Sequence, residues 1–440
     1  MKVAFVIERV PHYRLFSPII DAALARGWDV ECWHDHGQLL EHKAYQFPTV
    51  ESLPRFRHGT PVVRSYQGRR ELRTWMEMQR ADAIVSTETV RFANEPPAPN
   101  PRPLWLSLQN IVDSFITHTP ESTLTCDVLA MHSAWWTQWV SQYYGAEGLV
   151  ADAAAYAREL EGRAAYVGMP ELDAADLIDP EEVRHRWGIP KQQPVVVLFP
   201  FPQGVGRAVF WPRRICAEPS RVKQLASVIA HRRFEYWPHV RHGWNDSNVV
   251  KAIRRFCDRN GAYLLVKSRR KTPIPSYLER VADRCLYDES LYPPTVLEAL
   301  SIADLSISYF SGAVLESVGL GVPHLCLTFE AGDYLGDHVE QYGYFSSYYT
   351  TDEGSVFQSR QVSTTMSIPE AIGALPTRSL ADFRMDPDAR LSYVMKYLGH
   401  DDRAGSERTV MAIERALAGV RRGAGAPHVS NAAGAAGRRS

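Results

Sequence analysis

The sequence predicts an α/β protein built from two doubly wound, Rossmann-like domains facing one cleft. Three observations carry that expectation. Short continuous apolar runs alternate with stretches of helical period, as in parallel sheets covered on both faces. The alternation stops in an acidic, turn-rich stretch near residue 170 and restarts at Val195–Phe199. The length of 440 residues exceeds the ~250–300 at which one core stops growing.

Taken in order, Val3–Ile7 is a strand, and Ser17–Arg26 a helix with Ile19, Ile20, Ala23 and Leu24 on one stripe. Gly27 stands where a helix C-cap belongs. Val30–Trp33, Ala83–Thr87, Leu104–Leu108 and Val128–Met131 read as further strands, with helices over Arg69–Arg80 and Ala134–Tyr143. Gly168-Met169-Pro170 ends another strand, and Asp173, Asp176, Asp179 and Pro180 mark a linker. A short helix over Glu181–Trp187 closes at Gly188 and Pro190. In the second series Asn248–Arg259 places Val249, Ile253, Phe256 and Cys257 on one helical face. Ala262–Val266, Leu305–Ser308 and His324–Thr328 are strands around helices Thr295–Ala303 and Ala313–Leu320. Helices over Arg390–Leu398 and Glu407–Val420 follow. The expected division is 1–168, a linker at 169–193, a second domain at 194–385, C-terminal helices at 386–420, and a disordered tail at 421–440.

Composition removes several function classes. Forty-nine basic residues against 50 acidic ones, a net charge of -1, exclude a globally basic nucleic-acid binder. Six cysteines without a C-x-x-C pair argue against a zinc site and a disulfide framework, so a reducing compartment is expected. No apolar run reaches the ~18 residues of a spanning helix, and MKVAFVIERV has no secretory h-region. The expected location is the cytoplasm, with at most peripheral membrane contact.

The most specific pattern runs from Asp304 to Glu316 and on to Gly321-Val322-Pro323. It reads as strand, turn and helix opening, where backbone N–H groups and the Ser311 hydroxyl are placed to receive phosphate oxygens beside Gly312. Glu316, four residues on, shares that face one turn deeper, in reach of ribose hydroxyls. An ordinary capped helix would show the same spacing. Lys267, Ser268, Arg269, Arg270 and Lys271 follow a strand and offer positive charge to a leaving diphosphate, with Lys267 and Arg269 pointing one way; a solvated basic loop is the alternative. Candidates for a base at the first sheet's carboxyl edge are His12, Glu8 and Asp113, with Asp35 and His36 behind them. No residue set has convincing metal-ligand spacing; His34, Asp35 and His36 come closest. Arg207–Trp244 interleaves basic and aromatic residues, a pattern that can bind single-stranded nucleic acid or the headgroup edge of a membrane. A snorkelling surface around a long helix is the preferred reading, and contact with an anionic or lipid-linked acceptor a third.

Ala303–Leu327 resembles the donor-binding segment of GT-B glycosyltransferases. Gly168-Met-Pro-Glu-Leu-Asp173, through Arg184 and Trp187–Pro190 to Val195–Pro200, resembles the inter-domain crossing of the CDP-glycerol glycerophosphotransferase-like branch and of UDP-N-acetylglucosamine 2-epimerases. The resemblance implies that Ser311 and Gly312 hold a nucleotide diphosphate and that Glu316 holds ribose. It also marks departures. The glycerophosphotransferase branch has histidines where this chain has Ser107–Asp113 and Val266–Lys271, so neither assignment carries over. The epimerases' Gly-Thr-Arg-Pro-Glu turn is replaced by Glu8–Tyr13, and Thr328–Tyr334 lacks their charged segment, which disfavours epimerase chemistry.

The function so implied is a metal-independent transferase without a resident cofactor. It moves a sugar or polyol phosphate from a nucleotide-sugar or CDP-polyol donor, held by the second domain, to an acceptor on the first. The acceptor would be a glycan, a lipid-linked molecule or a small molecule, in surface polysaccharide or glycoconjugate assembly, with no specific nucleic-acid partner. The alternatives are a nucleotide-sugar epimerase or hydrolase on the same scaffold, and a non-catalytic binder of sugar nucleotides or nucleic acid.

Overall fold

The computed structural model describes residues 1–36, 53–87, 103–109, 120–124, 126–200, 215, 218, 220–269, 273–287, 290–309, 311–328 and 353–424. Asp113, Arg270, Lys271 and the tail beyond 424 lie outside them.

Two parallel sheets organise the chain. The first holds β1 (Lys2–Ile7), β2 (Asp29–Asp35), β3 (Val62–Tyr66), β4 (Ala83–Ser86), β5 (Leu104–Leu108), β6 (Val128–Met131) and β7 (Ala164–Tyr166), in spatial order β3-β2-β1-β4-β5-β6-β7. The second holds β8 (Val195–Phe199), β9 (Tyr263–Lys267), β10 (Arg284–Leu286), β11 (Leu305–Tyr309), β12 (His324–Thr328) and β13 (Ser363–Ser367), in order β10-β9-β8-β11-β12-β13. Each sheet grows outward in both directions from its first strand. Val3 lies between Val30 and Ala83, and Val196 between Leu264 and Leu305. The strand order therefore reverses at β1/β4 and at β8/β11. Ligands of such sheets sit outside the strand carboxyl ends at that reversal.

The central strands are buried over nearly their whole length because most of their side chains are apolar on both faces. The edge strands β3, β10 and β13 gave no sequence signal. Each has neighbours on one side only, and β3 and β13 (Ser-Thr-Thr-Met-Ser) are largely half-exposed, so their residues need not be apolar.

Helix α1 (His12–Ala25) begins five residues earlier than the Ser17-Pro18 pair suggests. Leu15, Phe16, Ile19, Ile20 and Ala23 bury one face of it, and that burial outweighs the main-chain bond Pro18 forfeits to the Arg14 carbonyl. His12 is consequently the first helical residue and not a loop residue. Helix α2 (Ala134–Ala146) follows β6. Among its described residues the Arg207–Trp244 stretch holds, in place of a single long helix, α3 (Arg221–Ala230), a 3-10 turn at Phe234–Tyr236 and a short helix at Trp237–His242. Then come α4 (Asp246–Arg259) and α5 (Ala313–Gly319).

The C-terminal helices cross back to the first sheet. Helix α6 (Pro387–Tyr397) packs on both α5 and α2, while α7 (Gly405–Ala424) packs on α1 and on the 3-10 helix Pro170–Leu177. Asp173 receives the N–H groups of Gly405 at 3.1 Å and Ser406 at 2.6 Å, so a carboxylate caps the start of α7. Residues 421–424, expected in the tail, are instead the last turn of α7. Trp136 Nε1 donates to the Tyr397 carbonyl at 2.7 Å, and Ser133 Oγ to that of Lys396 at 2.6 Å. Gly399 makes this docking close: its φ is +77°, and an added Cβ would lie 2.5 Å from the His132 carbonyl oxygen. A left-handed non-glycine residue costs ~1–3 kcal/mol, and overpacking a similar amount. Gly399→Ala is expected to lower unfolding free energy by at least ~2 kcal/mol in urea titration.

Candidate functional site

Helix α5 starts beside the reversal in the second sheet. Val314, Leu315 and Val318 are buried, and Ser317 Oγ donates to the Ala313 carbonyl at 2.6 Å. A hydroxyl–imidazole network fixes the helix to its strands. Ser306 Oγ lies 2.9 Å from Ser317 Oγ and 2.8 Å from His324 Nδ1, and Ser308 Oγ lies 2.9 Å from His324 Nε2. Burial pushes the His324 imidazole down to about 3, so it stays neutral and serves as a hydrogen-bonding post.

At the mouth of this helix Ser311 Oγ accepts the Ala313 N–H at 3.3 Å. A Cβ added at Gly312 would meet nothing within 4 Å, and the φ of -53° there suits any residue. Lys267 ends β9 with 4% exposure and Ser268 follows at 5%, whereas Arg269 is exposed. Lys267 and Arg269 thus differ in burial, because the strand stops at Lys267 and its alternation stops with it.

Glu316 is 6% exposed, one turn inside α5, where the spacing placed it. Its partners were not legible from that spacing. Arg14, from α1 beside the first sheet, donates from Nη2 to Glu316 Oε1 at 2.6 Å. The same nitrogen donates to Glu171 Oε1 at 2.6 Å, and Arg14 Nε reaches that oxygen at 3.0 Å. Glu171 comes from the 3-10 helix Pro170–Leu177, so the cluster joins the first domain, the crossing segment and the second domain. Burial pushes the Glu316 carboxyl up to about 7, and the neighbouring Glu171 charge adds to that; Arg14 and Lys267 oppose it. The two carboxyls form an acidic pair capped by one guanidinium. A second bridge lies close by in sequence, where Tyr292 Oη donates to Asp21 Oδ2 of α1 at 2.9 Å.

The expected bases are arranged differently from one another. Glu8 lies in the turn after β1 at 5% exposure, and His12 is buried with its ring edge-to-face on Phe16. His12 and Arg14 are two helical steps apart, about 200° around the axis, so the residue that reaches Glu316 points away from His12. Asp113 lies outside the described residues. His34 accepts or donates at 2.6 Å with Tyr13 Oη and stacks on His36, and burial pushes it down to about 4. Among the described residues no three His, Cys, Asp or Glu side chains are grouped to hold a metal.

Three residues of interest escaped the sequence reading: Arg14, Glu171 and His132. Glu171 lies inside the Gly168–Asp173 segment, which is the signal that would have found it. His132 follows β6 directly and is 1% exposed; neither ring nitrogen has a hydrogen-bond partner among the described residues, and burial pushes it down to about 4. It is a neutral imidazole at the carboxyl edge of the first sheet, beside Gln109, whose Oε1 accepts the His132 N–H at 3.0 Å.

No protein-family model matches the sequence, and no curated protein matches it. Solved structures do. The wall teichoic acid polymerase TagF superposes with a TM-score of 0.54 at 9% identity, over 95% of this chain and 90% of that one. A co-structure of S. aureus MnaA with UDP superposes with a TM-score of 0.51 at 11% identity, over 95% and 97%. The fold is GT-B. At these identities the likeness establishes the architecture of two Rossmann-like units. In this GT-B chain, no helix among the described residues is long and apolar enough to cross a membrane.

Proposed function

We propose that the chain is a GT-B-type transferase that binds a nucleotide-activated donor on residues 194–385 and an acceptor on residues 1–168. The observation that carries this reading is convergence. Lys267 and Ser268 close β9, Ser311 and Gly312 follow β11, and both strands flank the reversal at β8, with the buried Glu316 behind them. Ser311, the open backbone at Gly312 and the positive charges of Lys267 and Arg269 meet the diphosphate. The Glu316 carboxylate takes ribose hydroxyls, sharing or exchanging its contact with Arg14. Charge developing on the leaving diphosphate is met by fixed cations, so the reaction so proposed uses no metal and no resident cofactor. The base is drawn from Glu8, His12 and Asp113, to which the structure adds His132 as a candidate. TagF, a wall teichoic acid polymerase, and MnaA, bound to UDP, are proteins of the same fold, which supports a nucleotide donor and a role in surface polysaccharide or glycoconjugate assembly.

Thermal-shift titration against UDP, CDP, GDP and dTDP tests the reading. One nucleotide is expected to raise the melting temperature by mass action: at a hundred times its Kd it adds ~2.7 kcal/mol. No shift with any of the four would defeat the proposal. The acidic pair Glu171–Glu316 gives the epimerase or hydrolase reading a footing of its own, because two adjacent buried carboxyls, of which Glu316 is raised to about 7, suit acid–base chemistry. Incubation with the sugar nucleotide alone separates the two, since turnover without an acceptor belongs to the second reading.

A further inference from the structure

The crossover from β8 to β9 carries a small helical module whose surface the donor reading leaves unused. Ile215, Val228, Tyr236 and Val240 form its own core. Gln224 Nε2 donates to the Ile215 carbonyl at 2.8 Å, and Arg221 Nε to the Val240 carbonyl at 3.1 Å, locking α3 against the helix Trp237–His242. Helix α3 spends only one face, that of Gln224 and Val228, on this core.

Its other apolar face points outward. Val222, Ala226 and Ile229 follow the i, i+4, i+7 spacing of a single stripe. Val222 is 76% exposed and Ile229 54%, and Phe234 at 59% and Trp237 at 47% follow just beyond the helix end in the same module. Four of the ten large hydrophobic side chains exposed among the described residues thus fall between positions 222 and 237. Scattered single exposures are ordinary, but a concentration of this kind marks a contact surface.

Charge decides what covers it. From Ser220 to Gly243 the chain has five Lys or Arg residues (Arg221, Lys223, Arg232, Arg233, Arg241) against one acid, Glu235, although the whole chain is at -1. On the helical wheel Arg221 and Lys223 lie about 100° to either side of the Val222 position, so cations flank the apolar stripe. A nucleic acid would reward the cations and the two aromatic rings but gives nothing to Val222 and Ile229. An apolar layer beneath an anionic one rewards all of them.

We propose that this face docks on an anionic lipid surface. Val222, Ile229, Phe234 and Trp237 enter the boundary between headgroups and acyl chains. Lys223, Arg232 and Arg241 lay their stems along it and keep their charges at lipid phosphates. The inference does not depend on the donor reading, because the module contributes none of the residues placed at the nucleotide.

Vesicle co-sedimentation of the full chain tests it. Equal parts phosphatidylcholine and phosphatidylglycerol are compared with phosphatidylcholine alone. The wild-type chain is expected to sediment with the anionic vesicles, less so as salt rises. Ile229→Ser, Phe234→Ser and Trp237→Ser combined should cut that partitioning by at least about tenfold. Lys223→Glu, Arg232→Glu and Arg241→Glu combined should abolish the preference for anionic lipid. Both variants change exposed side chains, so circular dichroism and the nucleotide-induced thermal shift should match wild type. Wild-type protein that stays in the supernatant overturns the proposal, as does an apolar variant that sediments like wild type. Salt-sensitive binding to a single-stranded RNA oligonucleotide without vesicle binding assigns the face to nucleic acid and overturns it equally.

Discussion

Glu316→Ala is expected to weaken binding of the cognate nucleotide by roughly tenfold to a hundredfold, or more, in isothermal titration. The proposal gives this carboxylate two ribose hydroxyls, and hydrogen bonds to a charged group contribute ~1.5–3 kcal/mol. The structure sharpens the control experiments. Glu316 also holds Arg14 at 2.6 Å, so a purely structural carboxylate would move stability and leave affinity alone. Gly312→Val separates the two roles from the other side. Its Cβ meets no protein atom within 4 Å, so the fold should tolerate it while phosphate oxygens are kept from the backbone. Folded Glu316→Ala protein with unchanged affinity would remove the ribose role and most of the case for a nucleotide donor.

Arg14→Ala is expected to cost ~2–4 kcal/mol of stability near pH 8, because it leaves two buried carboxyls without their shared counter-charge. The upper figure for a fully buried pair is discounted here, since the Arg14 side chain is 20% exposed. The pH dependence has a definite sign. Glu316 holds its proton up to about pH 7 in the folded state against a usual value of 4.5, so the native state binds the proton more tightly. The stability arising from that preference is complete below 4.5 and is lost as pH rises through about 7. Removing Arg14 takes away a charge that favours the ionised form, which moves the loss to still higher pH. Urea titrations at acid and alkaline pH should therefore show a large deficit for Arg14→Ala near pH 8 and a smaller one near ~5.5. Equal deficits at the two pH values would mean that Arg14 acts by packing alone.

The central strands were legible because their residues answer to local physics. A strand buried on both faces is predominantly apolar, and the bounds of Leu104–Leu108, Val128–Met131, Val195–Phe199 and His324–Thr328 are legible to the residue on that ground. The edge strands β3, β10 and β13 answer to a neighbour instead and carry no such mark. The start of α1 is not legible for a related reason: Ser17-Pro18 is a good local helix start, yet burial of Leu15 and Phe16 in the core of the first sheet extends the helix back to His12.

By itself the sequence determined the two α/β series, the break between them and the turn–helix holding Ser311, Gly312 and Glu316, since each rests on spacing within a few residues. Only the tertiary structure decided what Glu316 touches. Arg14 lies 302 positions away and Glu171 lies in the crossing segment, and they meet where helix α1, that segment and helix α5 come together. The proton affinity of that carboxyl follows from desolvation and from the neighbouring charge. Both belong to the assembled fold, and no stretch of chain contains either one.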